Sequence, residues 1–151
     1  MDLNEIVRTR GNTPDQLVGV LRDLQKTKSR NYLCDEDLEA VAEAMKLPES
    51  HVYSVATFYS LFSTKPRGKF VIMLCRDVPC HVNGAFDIRD ALETLLQINM
   101  GETTRDGIFS LEYTSCLGHC ELAPVIQIDD RIYGNLNKQK LEQIIADYRR
   151  R

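Results

Sequence analysis

Apolar residues change their period part-way along this chain of 151 residues. Up to Phe62 they recur at helical spacing, whereas from Phe70 they fall into short extended runs separated by further helical stretches. The first dozen residues are polar and read as a loose lead-in or a short helix. From Pro14, PDQLVGVLRDLQKT sets Leu17, Leu21 and Leu24 on one stripe, with Thr13 placed as a cap and Pro14 at the first helical position. DEDLEAVAEAMKL predicts a second helix, acidic in its first turn, with Leu38, Val41, Ala42 and Met45 facing inward. A third, opened by Pro48, runs through ESHVYSVATFYSLF. Most of its aromatic stripe, Tyr53, Phe58, Tyr59 and Phe62, is expected in the core, while His51 and Tyr53 can face solvent or a partner.

STKPRGK, with turn signals at Pro66 and Gly68, marks the change of period and a domain boundary: a helical domain over 1–66 and a mixed domain over 67–151. FVIML is apolar on both faces, as a central strand covered on each side must be. NGAFDIRDALETLLQ predicts a helix capped by Asn83, with Ile88, Ala91, Leu92, Leu95 and Leu96 on its apolar stripe. After the turn-rich GETTRDG, IFSLEY alternates with Phe109, Leu111 and Tyr113 on one face, and VIQIDDRIYG reads as a hairpin turning at Asp129 and Asp130. NKQKLEQIIADYRR closes as a helix capped by Asn137, with Leu141, Ile144, Ile145 and Tyr148 inward. Three helices followed by β-α-β-β-α make an α/β chain whose small mixed sheet carries flanking helices.

A hydrophobic content of 43% supports a true core, and a net charge of -3 argues against a nucleic-acid partner, which needs a clustered basic face. The one basic run, Arg149 to Arg151, reads as a solvated helix end. No apolar run approaches the ~20 residues that span a bilayer, and MDLNEIVRTRGN lacks a signal-peptide core, so no membrane insertion and a cytoplasmic location are expected. In that reducing compartment five cysteines, four of them in two tight pairs, read as metal ligands rather than disulfides.

The pairs are Cys75-x4-Cys80 and Cys116-x3-Cys120, each beginning where a strand-like run ends. If the two strands are neighbours, both loops leave the same sheet edge and four thiolates can converge. Cys34 has no close partner and reads as a half-buried residue at a helix start, where a lowered thiol pKa leaves a reactive role open. Zinc and iron-sulfur clusters both accept four thiolates. Structural zinc favours Cys-x2-Cys knuckles, absent here, and the longer loops suit a 2Fe-2S cluster better, with zinc and four-iron clusters as alternatives. His81 and His119 invite a Rieske-type reading, but four cysteines make them unnecessary as ligands. With no glycine-rich phosphate loop and no nucleophile-base signature, the chain is expected to move electrons and to have no catalytic residues of its own.

Taken in order, VYSVATFYSLF, PRGK, Cys75-x4-Cys80, SCLGHCELAP and IDDRIYGNL resemble the thioredoxin-like 2Fe-2S ferredoxins. These comprise the 24 kDa-type subunit of NADH:quinone oxidoreductase (complex I) and its homologues in soluble NAD-linked hydrogenases and formate dehydrogenases. The resemblance runs from about Leu17 to the C-terminus. It implies an N-terminal helical bundle that docks the chain, then a thioredoxin-like domain holding one 2Fe-2S cluster on Cys75, Cys80, Cys116 and Cys120. It also implies a flavoprotein partner subunit carrying FMN and NAD(H), and a further iron-sulfur catalytic subunit. The short N-terminus, CHVNGA and GETT-DG-F resemble the small subunit of soluble hydrogenases, electron-bifurcating ones included, more than complex I. A formate dehydrogenase subunit is the next alternative, and a zinc-stapled interaction module the most remote. His119 stands where the family usually has a small residue, and Cys34 matches no family ligand.

Overall fold

The computed structural model describes residues 2–151, in two compact units, one ending at Arg67 and the other Gly68–Arg151. In the first, the helical periods fold as α1 (Leu3–Arg10), α2 (Leu17–Thr27), α3 (Asp35–Met45) and α4 (Glu49–Phe58). The polar lead-in is a helix because Asp2 caps it, its carboxylate accepting from the Leu3 N–H at 2.7 Å, and because Ile6 is buried. Pro14 opens a 3-10 turn, Pro14–Gln16, and α2 begins after it. The core of the unit joins Leu17, Val20, Leu21 and Leu24 of α2 to Leu38, Val41, Ala42 and Met45 of α3. Gln25, itself buried, ties α2 to the segment after α4, donating to the Leu61 carbonyl at 3.0 Å and accepting from the Ser63 N–H at 2.9 Å.

The aromatic stripe expected in this core is mostly outside it. Only Phe62 is buried, whereas Phe58 is 80% exposed and Tyr53 and Tyr59 also face solvent. The reason is phase: α4 buries Val52 and Ala56, four residues apart, and Tyr53 and Phe58 lie off that line. The helix also stops at Phe58, so Phe62 reaches the core from the loop rather than from a continued helix.

In the second unit the order is β1 (Phe70–Cys75), α5 (Val78–Val82), α6 (Ala85–Leu96), β2 (Phe109–Thr114), β3 (Ile126–Ile128), β4 (Arg131–Tyr133) and α7 (Lys138–Arg149). The sheet runs β2-β1-β3-β4, so β1 is internal, as its two apolar faces require. β1 and β2 are parallel, β3 pairs antiparallel with β1, and β3-β4 is the hairpin, turning through Asp129 at φ 53°. This is the α/β architecture expected, a small mixed sheet with flanking helices. Its core gathers Ile72, Leu74, Phe109, Leu111, Ile126 and Ile128 from the sheet with Ile88, Leu92 and Leu96 of α6 and Leu141, Ile144, Ile145 and Tyr148 of α7. Asn137 caps α7, its side chain accepting from the Lys140 N–H at 2.8 Å.

Two details depart from the sequence reading. The crossover from β1 to β2 contains the short helix α5, read there as a loop, and Asn83 closes α5 instead of opening α6. Its amide donates back to the Pro79 carbonyl at 2.7 Å, and Gly84, at φ 93°, is the residue that caps α6. Tyr113 is 39% exposed although Phe109 and Leu111, on its side of the strand, are fully buried. No helix among the described residues is long and apolar enough to cross a membrane.

Candidate metal centre

Parallel pairing of β1 and β2 makes both strands release their chains at one edge of the sheet. The register sets Cys75 opposite Thr114, so Cys116 leaves two residues beyond the partner of Cys75. The backbone fixes that edge: the Cys75 N–H donates to the Val125 carbonyl at 3.2 Å and the Arg76 N–H to the Thr114 carbonyl at 3.2 Å. Cys75 and Cys80 are each 2% exposed. They share a small apolar nest with Ala85 and Val125, flanked by Leu117, Leu122, Ala123 and Ile132. Cys80 owes its position to α5, whose N-terminal signal, Asp77 followed by Val78-Pro79, is present in the sequence and could have revealed the helix.

The second pair is different. Cys116 and Cys120 are exposed, with their sulfurs 3.5 Å apart. The Gly118 N–H donates to the Cys116 sulfur at 3.4 Å. Gly118 sits at φ +79°, in the left-handed region that glycine adopts without strain, which lets the loop fold its amide back onto that sulfur.

Cys120 opens a 3-10 turn, Cys120–Leu122, that Leu122 anchors. The Asn135 N–H donates to the Leu122 carbonyl at 2.5 Å. Gly134 packs so closely that a Cβ there would stand 2.7 Å from the same carbonyl oxygen. Gly134→Ala is therefore expected to lower stability by about 1–3 kcal/mol, read as a fall in the thermal midpoint, because the turn behind Cys120 must move.

Repulsion between thiolates couples the two pairs. Burial pushes the Cys80 thiol up to about 11, helped by the hydrogen bond with Cys75 and by charge on Cys75 and Cys120, while a backbone contact from Val125 works the other way. The Cys120 thiol is also raised, first by its hydrogen bond with Cys116, then by burial and by charge on Cys116, Cys75 and Glu121. Each thiolate makes the next harder to form, so a fully deprotonated set calls for positive charge among the sulfurs.

All five cysteines are free. Among the described residues no three His, Cys, Asp or Glu side chains gather closely enough to hold a single ion. Two thiolates on one tetrahedral metal, with bonds of about 2.3 Å, lie ~3.8 Å apart, close to the 3.5 Å between Cys116 and Cys120. The second pair therefore has the spacing of two ligands on one metal. His119 instead meets Glu121, Nδ1 to Oε1 at 3.3 Å, and the His81 ring stands edge-on to Phe86 at 4.6 Å.

Cys34 caps α3. Its N–H and its thiol both donate to Asp37 Oδ2 at 3.1 Å, the backbone half of a capping box. Hydrogen bonds with Glu36 and Asp37, followed by burial, push this thiol up. The lowering expected at a helix N-terminus is overridden by these two carboxylates. The structure also shows a feature the sequence reading did not single out, a cavity of about 290 Å³ that reaches Cys75 between Arg76, Phe86 and Tyr113. The Arg76 guanidinium lies over the Tyr113 ring, 5.7 Å from its centroid. Exposed Val78 and Val82 stand on neighbouring α5.

Residues 3–149 match the family described as thioredoxin-like [2Fe-2S] ferredoxin. The chain belongs to that family. It is 38% identical over 146 residues to an NADH-quinone oxidoreductase subunit of Rhizobium meliloti (strain 1021), covering 96% of this chain and 87% of the relative. Identity is 41% over 128 residues with the corresponding NADH-quinone oxidoreductase subunit of Rickettsia typhi, covering 85% of this chain and 75% of the relative. It is 34% over 145 residues with the NADP-reducing hydrogenase subunit HndA of Solidesulfovibrio fructosivorans, covering 95% and 85%. The fold is also that of part of an NAD+-reducing [NiFe]-hydrogenase in its air-oxidized state, at a TM-score of 0.78 and 22% identity. That match takes in 93% of this chain and 24% of the hydrogenase chain. This thioredoxin-like 2Fe-2S protein is thus related to electron-transfer subunits of both quinone-reducing and hydrogenase-type oxidoreductases.

Proposed function

We propose that Cys75, Cys80, Cys116 and Cys120 hold one 2Fe-2S cluster, making the chain a one-electron relay in a multisubunit NAD(H)-linked oxidoreductase. The observation that carries this reading is the delivery of two cysteine pairs to a single sheet edge by the parallel strands β1 and β2. When bound, such a cluster accepts and releases one electron at a time. The chain's own part is to fix the buried pair on a strand end and a helix, to direct the Gly118 N–H at a sulfur, and to cover one side of the site with Val125, Leu117 and Leu122.

The helical unit is the docking element in this reading. Large apolar residues left in solvent, Tyr53, Phe58, Tyr59 and Leu61, support that role. Its partner is a flavoprotein subunit carrying FMN and NAD(H), joined by a further iron-sulfur catalytic subunit, in a soluble cytoplasmic assembly. Five unpaired cysteines accord with a reducing compartment. CHVNGA and GETT-DG-F favour a hydrogenase-type assembly, bifurcating or not, and the HndA relative supports it. The 38% and 41% identities with the two NADH-quinone oxidoreductase relatives favour a complex I-type assembly instead.

Purified protein is expected to contain two irons and two sulfides per chain, to bleach on dithionite reduction and then to give an S = 1/2 EPR signal. Colourless protein with stoichiometric zinc would reject the relay in favour of a zinc-stapled module. The chains that co-purify decide between assemblies. A flavoprotein with a soluble iron-sulfur subunit supports the hydrogenase type, and membrane subunits support the complex I type.

A further inference from the structure

The two cysteine pairs differ in a way that cluster binding alone does not require. Cys75 and Cys80 are 2% exposed and sit on a paired strand and a helix, and of the two only Cys75 borders a cavity. Cys116 and Cys120 are exposed, 3.5 Å apart, and joined by a loop whose Gly118 has nothing within 4 Å of where a Cβ would stand. A disulfide needs its sulfurs at about 2.05 Å, so closure asks for a movement of roughly 1.5 Å in an exposed, uncrowded loop.

We propose that in the cluster-free chain Cys116 and Cys120 form a redox-operated lock: a small disulfide such as oxidised glutathione joins them, and the closed pair refuses a cluster until a thiol reductant reopens it. In the first step one of the two sulfurs attacks glutathione disulfide, forming a mixed disulfide and releasing one glutathione. The other sulfur then displaces the second glutathione. In sum the two cysteine thiols lose two electrons and two protons, and one glutathione disulfide becomes two glutathiones. The buried pair stays as thiols because both residues are 2% exposed and Cys80 borders no such cavity. Cys34 has no second cysteine in its own unit with which to close. Two of four ligands are then withdrawn together. The effect on loading rests on the four-cysteine reading above, whereas the crosslink itself does not.

The full chain, freed of metal by a chelator and reduced, is exposed anaerobically to glutathione disulfide, alkylated and mapped by peptide mass. The expected result is the loss of two hydrogens of mass, a Cys116–Cys120 crosslink, and Cys75 and Cys80 alkylated only after unfolding. Reconstitution with ferrous iron and sulfide is then expected to fail until dithiothreitol is added. A Cys75–Cys80 crosslink, persistent glutathione adducts on Cys116 or Cys120 without closure, or full loading of the crosslinked chain would each overturn the lock. A reduced chain that takes up no iron overturns the cluster reading alone, and the crosslink map still judges the pair.

Discussion

Cys80→Ser is expected to strip the protein of nearly all its iron, while Cys34→Ser keeps the full content. A serine hydroxyl is a poorer ligand than a thiolate for iron-sulfur centres, because it stays protonated at neutral pH and is hard where the site selects soft donors. Position 80 leaves little room for compensation by solvent: the side chain is 2% exposed and α5 holds it. Cys34 belongs to the other unit, and its thiol is occupied with Asp37. Serine is also the better helix cap, so that variant should melt no lower than the parent. Iron and sulfide per chain, with the visible spectrum, check both. Loss of iron in Cys34→Ser would mean that the ligand set proposed above is wrong.

Legibility in the sequence followed the strength of local rules. Strand ends are readable because FVIML and IFSLEY are bounded by loops, and the condition set for convergence, that the two strands be neighbours, holds for the parallel pair β1 and β2. Asn137 was readable as a cap because an apolar stripe in phase follows it. Asn83 was misread because two helices abut there, and the same residue type that opens one helix can close the one before it. The different exposure of the two cysteine pairs had no local signature at all. It arises from what packs around each pair, Ala85 and Val125 against Cys75 and Cys80, and Val125 comes from a distant part of the chain.

The aromatic residues of the two units give the sharpest contrast in expected stability. Phe109→Ala should cost about 3–5 kcal/mol, whereas Phe58→Ala should stay within about 0.5 kcal/mol. Phe109 is fully buried at the start of β2, its ring 6.0 Å from that of Phe70, and it packs among residues of α6 and α7. Truncation there leaves a cavity that a sheet paired on both sides of β1 cannot collapse to fill. Phe58 is 80% exposed and touches mainly Tyr59, edge-on at 5.0 Å, so its removal takes little surface from the core. Denaturant midpoints for the two variants read both effects. A loss at Phe58 as large as that at Phe109 would show that the end of α4 is buried in the free chain, and would remove the exposed aromatic surface from the docking reading. A small loss at Phe109 would mean that β2, which delivers Cys116 to the sheet edge, is not held by the core described here.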